Sequence, residues 1–152
     1  ATLTLAAPGA AGSLGNAKDI VIDTTAPTVS NVGATTPDGA YRAGQSVTIT
    51  VAFSEPVIVT GTPTLALNTG GSASYSGGSG GSTLSFTYNI GAGETSADLD
   101  YTGTGSLTGG TIRDTATNDA TLTLPTPGAA GSLGSAQNIV LDPHPPTVSP
   151  DD

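Results

Sequence analysis

Two stretches of this chain put an apolar side chain at every second position, and that period fits only extended strands with one buried face. In SVTITVAF, Ser46 to Phe53, the residues Val47, Ile49, Val51 and Phe53 share one side, and Thr and Ala take the other. In TLSFTYNI, Thr83 to Ile90, the residues Leu84, Phe86, Tyr88 and Ile90 do the same. Shorter candidate strands are TVSNV, VIVT, TLAL, SASY, DLDY, ATLTLP and NIVLD. Turn clusters separate several of the strands: TPDG at Thr36–Gly39, NTGG at Asn68–Gly71, GGSGG at Gly77–Gly81 and GAGE at Gly91–Glu94. No window carries a helical stripe. About seven short strands at this spacing predict an all-β fold, an immunoglobulin-like antiparallel β-sandwich with Greek-key connections.

The side chains agree with that reading. The 152 residues include 26 Thr, 15 Ser, 22 Gly and 11 Pro, a usage that suits short strands and many turns. Cys is absent, so no disulfide framework or thiolate metal site can form. Only Lys18, Arg42 and Arg113 oppose twelve carboxylates, and the net charge is −9. Such a surface argues against nucleic acid, whose phosphates need neutralising, and against an anionic membrane. Metal cations are the natural partners of surplus carboxylates. No run approaches the ~20 apolar residues of a membrane span, so membrane insertion is not expected. No signal-like start is present, which predicts an internal portion of a longer secreted chain.

A second feature sets the organisation. ATLTLAAPGAAGSLGNAKDIVIDTTAPTVS, Ala1 to Ser30, returns as ATLTLPTPGAAGSLGSAQNIVLDPHPPTVS, Ala120 to Ser149. The copies align without a gap at an offset of 119, with 21 of 30 positions identical. About 100 residues is the size of one small β-sandwich, so the offset reads as one unit of a tandem array. Residues 1–25 are then the C-terminal strands of a preceding repeat plus a linker. Residues 26–142 form a complete unit, and 143–152 begin the next linker. Pro27 restrains Ala26 to extended conformations, which makes the joint short and stiff.

The motifs DTTAPTVS, FSEPV, GTPTLALNTGGSASY, LTGGTIRDTATNDATLTLP and GAAGSLGSAQNIVLD, in that order, resemble the repeated Ig-like modules of large bacterial surface adhesins. These are the Bap-type and RTX-adhesin extender repeats. The resemblance covers nearly the whole chain. It implies tandem sandwiches on an extracellular chain, secreted or attached to the bacterial surface, that hold a terminal binding region away from the cell. It also implies Ca²⁺ at the joints, neighbouring repeats of the same polypeptide as partners, and host or surface ligands bound through other domains.

Following the strands end to end tests the Ca²⁺ expectation independently. Alternating strand directions bring Asp23, Glu55, Asp114 and Asp119 to the end where the linker enters. They bring Asp38 and Asp142 to the far end, with Asp98 or Asp100 as further candidates there. Carboxylates ~4 Å apart repel by roughly 4 kcal/mol per pair at an effective dielectric near 20. A hard cation with six to eight oxygen ligands relieves that repulsion, with Asn118, Asn31 and backbone carbonyls available to complete the shell. No EF-hand loop is present.

Catalytic readings find little support. GGSGG fits G-x-S-x-G, but a nucleophile elbow needs a following helix and a nearby His, and the one His is His144. Asp98 and Asp100 alternate with Leu99 and Tyr101, as on a solvated strand face rather than a glycosidase pair. Lys18 could suggest an isopeptide crosslink, but its counterpart is Gln137. The chain therefore reads as a structural spacer of a repetitive adhesin, rigidified by Ca²⁺ and supporting adhesion or biofilm formation, and not as an enzyme. The alternatives are a self-assembling extracellular filament subunit that exchanges strands through residues 1–23, and a carbohydrate-binding module using Tyr41, Tyr75, Tyr88 and Tyr101.

Overall fold

A computed structural model describes residues 1–143; residues 144–152, which hold His144 and most of the segment expected to begin a further linker, lie outside the described residues. The two alternating stretches form the centre. Strand β3 (Ser46–Phe53) pairs antiparallel with β7 (Thr83–Asn89), setting Val47 opposite Tyr88, Ile49 opposite Phe86 and Val51 opposite Leu84. All six of these side chains are buried. Around this pair lie β1 (Val29–Ala34), β5 (Thr64–Ala66), β6 (Ser72–Gly77) and β8 (Leu107–Thr108), in the sheet order β1-β3-β7-β6-β5-β8.

Two small sheets complete an all-β sandwich. β4 (Ile58–Thr60) pairs antiparallel with β9 (Thr111–Arg113), and β10 (Ile139–Leu141) pairs with β2 (Gly39–Tyr41). The core between the layers holds Val32, Val57, Leu65, Leu67, Leu99 and Ile139 beside the central pair. Tyr75 packs edge-on against Phe86 with ring centroids 6.0 Å apart. Each of two irregular pairings has one extra residue, Ser30 in β1 and Ser76 in β6. Each serine hydroxyl donates to a carbonyl of the partner strand, Ala52 or Ser85, so neither bulge leaves that group idle.

The structure departs from the sequence-based expectation in four places. Ten strands form among the described residues, rather than about seven, because several are only two or three residues long. The β2–β10 pair is parallel, since residues 120–142 travel alongside β1 in its own direction, starting from a parallel bridge between Thr28 and Thr121. ATLTLP and DLDY are not ladder strands; each makes a single bridge, Thr121 to Thr28 and Tyr101 to Leu67. Two one-turn helices also appear, α1 (Leu14–Ala17) and α2 (Leu133–Ala136), at equivalent positions of the two copies. Ser13 and Ser132 cap them by accepting from the amides of Asn16 and Ser135. One turn is too short to leave an apolar stripe in the sequence.

Two tyrosines are locked by this packing. Tyr88 is buried and donates to the Glu94 carboxylate. Tyr101 is buried and donates to the carbonyl of Pro125. Burial, then the Glu94 contact, pushes the Tyr88 phenol up to about 12; burial and the Asp100 charge push Tyr101 up to about 12 as well. An unfolded tyrosine ionises near 10, so between ~10 and ~12 the folded chain holds more protons than the unfolded one. Stability is therefore expected to hold below about pH 10 and to fall as pH rises toward about 12. A phenolate absorbance titration is predicted to show two of the four tyrosines ionising only around pH 12, together with loss of the fold.

Candidate metal centre at the linker end

The segment before β1, expected from the sequence to be a joint, is tied to the sandwich by backbone and serine hydrogen bonds. The Thr28 amide donates to Ser54 Oγ at 3.0 Å, and the Ser54 amide donates to the Thr28 carbonyl at 2.8 Å. The Thr121 amide donates to the Pro27 carbonyl, and Pro27 is buried. These bonds fix residues 27–28 against the end of β3, where Glu55 follows.

Asp23, Glu55 and Asp114 each present a carboxylate oxygen, and the three oxygens lie within 4.8 Å of one another. Asp23 and Glu55 are half-buried, and Asp114 is buried. The Thr25 amide donates to Asp23 Oδ1 at 2.9 Å, which curls the joint around that carboxylate. Asp114 sits at the start of a tight loop after β9. Its Oδ1 accepts from the Asn118 amide at 2.8 Å and its Oδ2 from Asn118 Nδ2 at 2.7 Å. The same Nδ2 donates to the Asp23 carbonyl at 3.0 Å. Asn118 thus braces the joint to the loop by donating, and it does not offer that atom as a ligand. Thr117, at the apex, adopts φ +71°, a left-handed conformation that a β-branched residue rarely takes. The loop accepts that strain while the amides of Ala116, Thr117 and Asn118 gather on Asp114.

The two body carboxylates respond oppositely. Burial, followed by the charges of Asp23 and Asp114, raises the Glu55 carboxyl above its ordinary value. For Asp114, burial also acts upward, but the hydrogen bonds from Asn118, Ala116 and Thr117 outweigh it, and the carboxyl is held below its ordinary value. Asp114 is thus a preorganised anion, and Glu55 is the group that bears the unrelieved repulsion. Two oxygens on one Ca²⁺, each ~2.3–2.6 Å from the ion, are at most about 5 Å apart. The spacing of the three oxygens falls within that span.

The remaining candidates fall elsewhere. Asp119 leaves the cluster to form an exposed ion pair with Arg113. Arg113 is therefore turned to Asp119 and not to the three acids. Asn31 lies on the exposed side of β1, opposite Ala52. At the far end, Asp38 Oδ1 accepts from the Asn138 amide at 2.9 Å, and the amide of Asp142 donates to the Tyr41 carbonyl. Asp98 lies at the surface, and partial desolvation there, followed by the charges of Asp100 and Asp38, raises its carboxyl above the ordinary value. Asp100 is buried rather than solvated, with Oδ1 accepting from the Tyr101 amide and Oδ2 from Gly128. Among the described residues, Asp38, Asp98, Asp100 and Asp142 do not form a group of three carboxylates as close as that at the linker end. Ser79 of GGSGG sits on the β6–β7 hairpin tip, where its hydroxyl accepts from the Val59 amide.

The Ser54–Thr28 brace and the Asn118 donor were not anticipated from sequence. The signal was present only as DTTAPT, FSE and RDTATND, whose polar residues do not reveal which of them will meet. No family model, curated protein or solved structure matches the chain.

The opposite shifts give opposite mutational signs. Without divalent ions, Glu55→Gln is expected to raise the melting temperature by about 1–3 °C, and Asp114→Asn to lower it by about 5 °C. In the wild type, the Glu55 contribution favours folding below the ordinary glutamate range and is lost as pH rises through its raised folded value. The Asp114 contribution is present above the ordinary aspartate range and is lost as pH falls through its lowered one. Thermal melts of both variants across the acid range check the two signs.

Proposed function

We propose that the chain is a spacer module of a repetitive extracellular adhesin, and that Ca²⁺ bound by Asp23, Glu55 and Asp114 stiffens the joint through which one repeat follows another. The observation that carries this reading is the origin of the three oxygens. One comes from the joint, and the other two come from the ends of β3 and β9 in the sandwich body. An ion held by all three would couple the orientation of residues preceding the joint to the body that follows. The near-absence of basic residues supports a cation as the relief for this cluster.

The ligand chemistry favours Ca²⁺ over Mg²⁺. Ca²⁺ tolerates irregular oxygen shells with carbonyls and waters, whereas Mg²⁺ demands near-octahedral geometry at about 2.0–2.1 Å. A sandwich with loops at both ends and a short joint suits a rod built by repetition. The tyrosines give little support to the carbohydrate-binding alternative, because Tyr88 and Tyr101 are buried with their hydroxyls engaged.

Extracellular modules bind Ca²⁺ with Kd of about 10⁻⁴ to 10⁻³ M. At about 10 mM Ca²⁺ this range predicts ~1.4–2.7 kcal/mol of added stability, or roughly 4–10 °C in melting temperature. EDTA should reverse the gain, Glu55→Gln should abolish most of it, and equal Mg²⁺ should give much less. A tandem pair of units should also extend on adding Ca²⁺ in small-angle scattering. A melting curve and scattering profile indifferent to Ca²⁺ would refute the proposal.

A further inference from the structure

The two copies of the duplicated sequence adopt the same local backbone but opposite environments. Leu133, Ile139 and Leu141 of the second copy are buried, and so is Leu124. Their counterparts Leu14, Ile20, Ile22 and Leu5 are 71%, 65%, 87% and 88% exposed. The fold of the strip itself is retained: α1 repeats the cap of α2, and Gly9 and Gly12 repeat the positive φ of Gly128 and Gly131.

The second copy shows what such a strip is shaped to hold. Residues 124–134 arch over Asp100 and Tyr101. Tyr101 Oη donates to the Pro125 carbonyl, Asp100 Oδ2 accepts from the Gly128 amide, and the Val32 amide donates to the Gly131 carbonyl. A Cβ on Gly134 would lie 2.6 Å from Asp100 Oδ2, so that glycine is required by the occupant of the arch. In the first copy the same arch surrounds an open hollow of about 390 Å³, lined by Leu5, Pro8, Gly9, Leu14 and Gly15 among others. A Cβ on Gly15 would meet nothing within 4 Å, so no contact among the described residues requires that glycine.

We infer that residues 1–22 are a docking strip for a second copy of this sandwich unit, and that the hollow takes its Asp100–Tyr101 corner while Ile20–Ile22 take the β2 edge. The strip cannot serve its own unit. The resident copy starts beside Thr28 and ends beside Tyr41. Those points are separated by at least the length of β1, about 20 Å. If Asp23 lay at the Tyr41 end, the five steps of chain from Asp23 to Thr28 would have to span that distance, and they reach only ~18 Å fully extended. Asp23 is in any case held at the linker end by Asn118. The replacements Lys18 for Gln137 and Asp19 for Asn138 add one charge of each sign and leave the strip's balance unchanged. In the intact chain the resident copy has a millimolar effective concentration and excludes the strip of a neighbour at micromolar protein. The inference needs no ion and stands apart from the Ca²⁺ proposal.

One substitution made at the two equivalent glycines tests it, in the full chain and in EDTA. Gly15→Leu is expected to leave a monomer with unchanged melting temperature. Gly134→Leu clashes with Asp100 and expels the resident copy; strips from other molecules then replace it, giving head-to-tail oligomers whose mass by light scattering grows with concentration. The double variant should stay monomeric and melt lowest. In a second arm, a synthetic peptide of residues 1–23 should raise the melting temperature of the Gly134→Leu chain, and the same peptide carrying Gly15→Leu should not. Oligomers or peptide rescue that depend on Gly15 support the docking strip. A Gly134→Leu chain that melts as the wild type does, or that matches the double variant in mass and melting with and without peptide, would overturn it.

Discussion

The antiparallel pairing of β3 with β7 is the constraint from which the remaining structure follows. Both strands alternate strictly, so a register error of one residue between them would keep one apolar set in the core and turn the other into solvent, either Val47, Ile49 and Val51 or Leu84, Phe86 and Tyr88. That penalty fixes the register, and the register fixes which loops stand at which end. Glu55 lies at the end of β3 that receives the linker because β1 runs in from the linker and β3 runs back beside it. Strand direction brings the acids to that end from positions separated by as many as 91 residues in the chain, and the Thr28–Ser54 and Asn118 hydrogen bonds hold Asp23 there.

Closure of the sandwich uses a different kind of segment. Residues 120–142 are mostly not ladder strands; they lie along β1, arch over Asp100 and Tyr101, form one helical turn and finish as β10. Their hold is a mixture of buried Leu and Ile side chains and directed hydrogen bonds, with a buried carboxylate at the centre accepting from Gly128 and Tyr101. A segment of this kind is separable from the sheet it covers, and its near-duplicate at the start of the chain keeps its local shape without any cover. Residues 1–22 and 120–141 are therefore one structural element met in two settings.

The sandwich was legible in the sequence because alternation reports burial directly, and the turn clusters fell between the strands that alternation marked. The short elements were not. β2 and β10 have three residues each, and their pairing joins positions about 100 residues apart in parallel, which no local pattern encodes. Asp100 looked solvated because its neighbours alternate, yet the arch supplied by residues 124–134 covers it. At the linker end, strand direction predicted the company of Asp23, Glu55 and Asp114. It did not predict the departure of Asp119, because the chain turning back after β9 sets Asp119 opposite Arg113 in an antiparallel bridge, and the two pair at the surface.

The central claim is that three named carboxylates share one cation. The most direct measurement follows the side-chain carboxyl carbons by NMR as Ca²⁺ is added to the metal-free chain. The account predicts that Asp23, Glu55 and Asp114 shift together along one saturating curve while Asp119 and Asp38 stay near their starting positions. Small, unsaturating shifts spread evenly over the twelve carboxylates would contradict it.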